Sequence, residues 1–385
     1  MKKRSIGRIE DVHSFLDDVL QGDLHTKRVA SLANATLGIL NSTSLAVQAI
    51  GLGLAHAQGL VTKHAIKQVD RLVGNAGVDV WECFAYWVPY IIAERQTIMV
   101  AMDWTDFDDD GHTMIALNLL TNHGRATPLV WKTVEKSALK ARRNDYEDEV
   151  LSRLHEVLPA GVKVTVIADR GFGDTRLFEF LRDELKFDYL IRLKKNIWVT
   201  TSDGERRQTA DWVTPTGRPK TLRNAKITAE EFAVPTVVCV WAKEMKEAWC
   251  LASSATDAKA AELINYYGKR WGIETYFRDT KDPRFGMGMY ATRTSSTARR
   301  DRLFLPSAFA IVLLTLLGAA GESVGYDRLL KTNTVKHRTH SLFRQGWMIY
   351  GLIPNMPEKW LAPIMQKLSE LLREQRAWSA MLGFV

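Results

Sequence analysis

The sequence predicts a mixed α/β core, preceded by a helical region and interrupted by a run of β-strands. Three observations predict it. Ile98–Met102 and Lys163–Ala168 read as buried strands, and each is followed at once by a carboxylate, Asp103 and Asp169. Before them, apolar residues recur at helical spacing (Val12, Phe15, Leu16, Val19, Leu20) in a stretch that looks helical from 10 to 60. After them, between 194 and 256, strand-like pieces alternate with polar turns that contain Gly and Pro.

Length and composition set the frame. A chain of 385 residues with 46% hydrophobic content allows two or three domains and a sizeable core. The net charge of +8 points to a polyanionic partner without saying which. Cys83, Cys239 and Cys250 are scattered and form no Cys-x-x-Cys pair, so neither a zinc knuckle nor a disulfide framework is expected and a reducing cytoplasm is the default. The basic Met1–Ser5 is followed by no apolar segment of the signal-peptide kind. Leu303–Gly321 is nineteen residues without a charge, just long enough to span a bilayer. Pro306, Ser307 and Thr315 interrupt it, and it is read as a buried core helix, with no membrane expected.

Along the N-terminal region, Gly51 and Gly53 are read as loosening a small-residue stretch. Lys63, Lys67 and Arg71 follow at intervals of four, with Ile66, Val69 and Val73 towards the other side. Such a cationic face suits a phosphate backbone; it equally describes an ordinary amphipathic surface helix. Next, Ile98–Met102 ends at Asp103, and Asp110-Gly111 favours a hairpin into a second strand, Thr113–Leu120. A third strand is expected near Pro128–Trp131, then a long helix from Glu135 to Leu158. Lys163–Ala168 leads to Asp169, Arg170–Gly173 makes a turn, Thr175–Leu185 is a helix and Asp188–Leu193 a strand. Helical patterning resumes at Asp257, and the region beyond Asn333 is basic.

The stretch Tyr267–Lys281 holds one acid, Glu274, among cations and aromatics. In a helix, Tyr267, Arg270, Glu274 and Lys281 would fall within an arc of roughly 60°. The bland alternative is a solvated face with an Arg270–Glu274 pair. Two strand-end carboxylates and a third on a helix suit Mg²⁺ or Mn²⁺, and two such ions can activate a water or a 3′-OH against a phosphodiester. Arg270 and Lys281 would then bind phosphates, and Tyr267 could donate a hydrogen bond to one. Asp106, Asp108, Asp109, Asp110, Asp174, Glu94 and Glu135 are read as solvated or capping acids. A two-carboxylate glycosidase would leave the cationic helix unexplained.

Tyr267-x2-Arg270-x3-Glu274-x6-Lys281 resembles the Tyr-Arg-Glu-Lys signature of the insertion-sequence-four family of bacterial DDE transposases. The segments 63–75, 100–106, 273–283 and 286–296 are also similar to that family, nearer its Tn-ten type. The resemblance implies an RNase H-like catalytic core with an all-β insertion, preceded by an all-α DNA-binding domain. The expected divisions are 1–90 (helical, DNA-binding), 91–193 and 257–330 (the two parts of the core), 194–256 (the β insertion) and 331–385 (a helical and basic region). It implies Asp103, Asp169 and Glu274 as the catalytic, metal-binding triad, and Tyr267, Arg270 and Lys281 as phosphate ligands. Trp249 matches the aromatic that stacks on a flipped base; its alternative is a strand tryptophan packed among its neighbours. The implied activity is cut-and-paste transposition of double-stranded DNA. Phosphodiester hydrolysis and transesterification would occur at terminal inverted repeats through a hairpin intermediate, followed by strand transfer to target DNA. A homodimer in the synaptic complex is implied as well. The rival is a transposase-derived DNA-binding protein without catalysis.

Overall fold

The computed structural model describes residues 9–20, 24–213, 216–243 and 245–373; the basic N-terminal run and the end of the C-terminal region lie outside the described residues. The N-terminal region is helical as expected: α1 (Ile9–Leu20), α2 (Thr26–Ser42), α3 (Val47–Gln58), α4 (Thr62–Gly74) and α5 (Val80–Ile92). The spaced apolar residues of α1, Val12 to Leu20, are all buried. Gly51 and Gly53 do the opposite of loosening the chain. A Cβ at Gly53 would strike the backbone of Gly38 in α2, and one at Gly51 would strike Ile66 in α4. These glycines therefore let α3 lie in close contact with both neighbours.

Among the described residues ten strands form one sheet. They are β1 (Thr97–Phe107), β2 (His112–Leu120), β3 (Ala126–Glu135), β4 (Lys163–Ala168), β5 (Asp188–Arg192), β6 (Trp198–Thr200), β7 (Arg206–Gln208), β8 (Lys220–Ile227), β9 (Phe232–Val240) and β10 (Trp249–Ser253). Their order is β3-β2-β1-β4-β5-β10-β9-β8-β6-β7. β1 is antiparallel to β2 and parallel to β4, and β4 is parallel to β5. The strands of 194–256 continue this sheet, because β10 pairs antiparallel with β5.

Several boundaries move. β1 runs four residues beyond Asp103, because β2 goes on pairing with it to Phe107. The first hairpin turns through a 3₁₀ turn, Asp108–Asp110, with Gly111 at φ 67°. The helix expected from Glu135 begins only at Arg143, since Lys136–Leu139 is a 3₁₀ turn and Ala141 has positive φ; α6 is Arg143–Val157. The helix from Thr175 is α7 (Thr175–Glu179), continued by a π-helical turn, Phe180–Glu184.

The stretch read as one helix is two, α8 (Ala260–Gly268) and α9 (Trp271–Lys281). At the junction the backbone tightens to three-residue hydrogen bonds, Arg270 N–H to Tyr267 C=O and Gly272 N–H to Lys269 C=O. Gly268, the last residue of α8, weakens continuation of the helix there. Beyond lie α10 (Thr297–Ser323), α11 (Leu342–Leu352) and α12 (Glu358–Arg373). α10 is apolar and long enough to cross a membrane, but its apolar window is wholly buried inside the protein. It packs against the helical region, β3, α11 and α12. Gly318 and Gly346 bring the α10 and α11 backbones together, since a Cβ on either would overlap a carbonyl of the other helix.

Candidate active site

Register places the two strand acids. Met102 pairs with Ala168 across the parallel β1–β4 ladder, so Asp103 and Asp169 are the next residues of adjacent chains. Adjacent strands lie about 4.8 Å apart, which sets the two backbones side by side where the pairing stops. The same logic reaches one strand further. Ala168 pairs with Ile191 in β5, so Arg192 stands next to Asp169.

Glu274 comes from α9, which packs on β1, β2 and β3. Arg270 ties it to the strands. Its Nη1 donates to Asp103 Oδ2 at 3.2 Å and its Nη2 to Glu274 Oε1 at 2.6 Å. Asp103 also accepts the Trp104 N–H at 2.9 Å, and Asp169 accepts the Gly171 N–H at 2.7 Å. Burial pushes the Asp103 carboxyl up to about 6. Arg270 and the Trp104 N–H pull it down, while the charges of Asp169 and Glu274 add to the rise. Carboxylates that repel one another in a half-buried site are a place for a cation. Their oxygens are hard donors of the kind Mg²⁺ and Mn²⁺ take. Among the described residues no three acids, histidines or cysteines are grouped closely enough to hold a metal ion. Arg270 lies between Asp103 and Glu274 and pairs with both.

The other signature residues surround this centre. Tyr267 is buried at the end of α8, its ring edge-on to Trp249 at 4.8 Å between centroids. Burial holds its phenol above the ordinary range. Trp249, the first residue of β10, is half-buried. Lys281 sits two turns beyond Glu274. Its Nζ donates to Thr105 Oγ1 at 3.0 Å and to the Asp106 carbonyl at 2.6 Å, and it lies over the Phe107 ring. Burial lowers its pKa. Tyr267 ends α8, Arg270 stands at the junction, and Glu274 and Lys281 are on α9, so the four do not share one helix face; Tyr267 nonetheless stays beside Arg270, whose guanidinium lies 5.9 Å from its ring centre.

Several of the acids set aside have capping or exposed roles, but Asp110 does not: it is in a nearly buried ion pair. Asp174 caps α7 through the Leu177 N–H at 2.9 Å. Asp106 and Asp108 pair with Lys136. Asp110 pairs with Arg300 and accepts the Thr294 N–H. Arg300 has no exposed surface and is structural. Arg299 pairs with Asp70. Lys63, Lys67 and Arg71 are exposed along α4, and none is paired with an acid among the described residues. Arg71 lines an open groove of about 620 Å³ between α2 and α4, with His64 and Gln68.

Sequence reasoning passed over two features. Glu147, on α6, is buried and accepts from Trp104 Nε1 at 2.8 Å and Arg143 Nε at 3.0 Å, so it stands behind Asp103. Burial raises its pKa. Arg192 is the second, and its only signal is a cation at the end of a strand beside the Asp169 strand.

Residues 131–313 match the family model of the transposase DDE domain. The match includes Asp169 and Glu274 and begins after Asp103. It supports a transposase function for the chain, and with it DNA as the partner. No curated protein matches the chain.

Proposed function

We propose that this chain is a metal-dependent DNA transposase of the insertion-sequence-four type with an RNase H-like core, and that Asp103, Asp169 and Glu274 are its catalytic carboxylates. The observation that carries the reading is the register that puts Asp103 and Asp169 side by side, with Glu274 joined to Asp103 through Arg270. The order β3-β2-β1-β4-β5, with β1–β2 and β2–β3 as antiparallel hairpins and β1, β4 and β5 parallel, is the support for the core assignment.

The three carboxylates would hold Mg²⁺ or Mn²⁺, which when bound supplies Lewis-acid activation of the attacking oxygen and stabilisation of the leaving one. Arg270, which bonds both Asp103 and Glu274, would turn its guanidinium to a phosphate of the bound DNA, where a bidentate fork fits. Lys281 keeps one ammonium hydrogen beyond its two protein bonds and would meet a neighbouring phosphate as a point charge. Tyr267 packs behind Trp249 and fixes it, so that the exposed part of the indole can stack on a base drawn out of the duplex. That base displacement is what a hairpin intermediate requires, and cut-and-paste movement into target DNA would follow from the freed 3′-OH. The helical region would grip DNA through Lys63, Lys67 and Arg71, and pairing of two ends implies a homodimer.

Cleavage of DNA carrying the flanking repeats, in Mg²⁺, is the test. Asp103→Asn, Asp169→Asn and Glu274→Gln should each abolish cutting while DNA binding survives, and chelation should do the same. Trp249→Ala should keep the first nick and lose the hairpin product. Full cutting by any of the three acid variants would remove the triad.

A further inference from the structure

On the side of Asp169 away from Arg270, two guanidinium groups converge on one carboxylate. Arg170 Nη1 donates to Glu247 Oε2 at 2.8 Å, and Arg192 Nη1 donates to Glu247 Oε1 at 2.9 Å. The cations come from fixed places: Arg170 follows Asp169 directly, and Arg192 ends β5 beside it. Arg192 is held by a further bond from Nη2 to the Ala248 carbonyl at 2.9 Å, and its side chain is only 11% exposed. Its Nε–H is buried and has no partner among the described residues.

Glu247 is held differently. It is half exposed, stands in the turn before β10, and bonds only to these two arginines among the described residues. Two residues on is Trp249, which rests on Tyr267. One carboxylate thus spans a rigid, doubly cationic notch beside a catalytic acid and a half-exposed indole. Two guanidinium groups that each donate to one of a pair of oxygens form an arrangement that also takes the two free oxygens of a phosphodiester.

We propose that Arg170 and Arg192 form a second phosphate clamp on the Asp169 side of the site, and that Glu247 fills it in the DNA-free protein and is displaced by a DNA phosphate. The inference rests on the transposase reading above and names the strand it acts on, the one whose base meets Trp249. No bond is made or broken in the exchange; the carboxylate moves to solvent and the phosphate takes its place. Glu247 therefore competes with substrate and weakens DNA binding in the wild-type chain.

The measurement is fluorescence anisotropy of a labelled duplex with a short single-stranded flank, in chelator so that nothing is cut. Glu247→Gln keeps the shape and removes the charge, and should bind this DNA roughly three- to tenfold more tightly, the size of two partly exposed ion pairs. Arg170→Gln, a half-exposed position where folding is not at stake, should bind more weakly. In the Arg170→Gln and Arg192→Gln backgrounds the gain from Glu247→Gln should shrink or vanish. Wild-type affinity in Glu247→Gln, or the same gain with and without the two arginines, overturns the clamp. If Asp169→Asn still abolishes cutting while Glu247→Gln shows no gain, the clamp alone is wrong. If the wild-type chain neither binds nor cuts DNA, both readings fall.

Discussion

Replacing Arg300 by methionine tests how the Asp110 turn is held to α10. Arg300 has no exposed surface, and the Asp110 side chain is 10% exposed. The guanidinium pairs with Asp110 through Nη2, donates from Nε to His112 Nδ1 at 3.3 Å and lies 3.9 Å over the Phe107 ring. Methionine fills much of the volume, so the cavity cost is small. The Asp110 carboxylate is left with the Thr294 N–H at 3.0 Å and no cation. Breaking a buried pair from one side costs about 3–5 kcal/mol. Arg300 Nη1 has no partner among the described residues, a wild-type cost of about 1–3 kcal/mol that the substitution relieves. The expected loss is therefore at the lower end, about 3 kcal/mol. Equilibrium urea unfolding measures it. The double variant Asp110→Asn, Arg300→Met should recover about 1–3 kcal/mol of that loss, because no charge is then left buried. A single-variant loss under about 1 kcal/mol, or strictly additive losses in the double variant, would refute the account.

Two further outcomes follow from the same reasoning. Asp301 turns its carboxyl inward, accepting the Thr133 N–H at 3.1 Å and Thr133 Oγ1 at 2.6 Å. Burial pushes it up to about 7. The folded state then holds a proton that the unfolded state releases near 4, so this group's contribution is full below about pH 4 and is lost as pH rises to about 7. Unfolding measured across that window should show the decline in the wild type and a flatter profile in Asp301→Asn; equal slopes would discard the assignment. For the helical region, replacing Lys63, Lys67 and Arg71 together by Gln should weaken DNA binding and lessen its dependence on salt by roughly 2–3 in the log–log slope, with stability unchanged because all three are exposed. An unaltered slope would place the DNA elsewhere.

The sequence by itself determined the elements that local chemistry specifies. Lys163–Ala168 is read as a strand and is one, because a β-rich apolar run closed by an acid and a Gly-containing turn has few alternatives. α1 and the burial of α10 were legible for the same reason: a spaced apolar stripe and a long uncharged apolar run each state where water is excluded. Asp103 and Asp169 stood out as strand-end acids, although β1 continues past Asp103 because its partner β2 does. Tertiary structure alone decided what depends on pairing across distance. Register set Asp103 beside Asp169 and Asp169 beside Arg192, and no local pattern encodes which strands become neighbours. The break between α8 and α9 put Tyr267 at the end of one helix while leaving it beside Arg270, a matter of three-residue backbone bonds that spacing does not reveal. The glycines of α3 were misread because a missing Cβ looks like freedom along the chain and becomes close contact only when another helix arrives. Glu247 between two arginines belongs to the same class, since its partners lie 77 and 55 residues away.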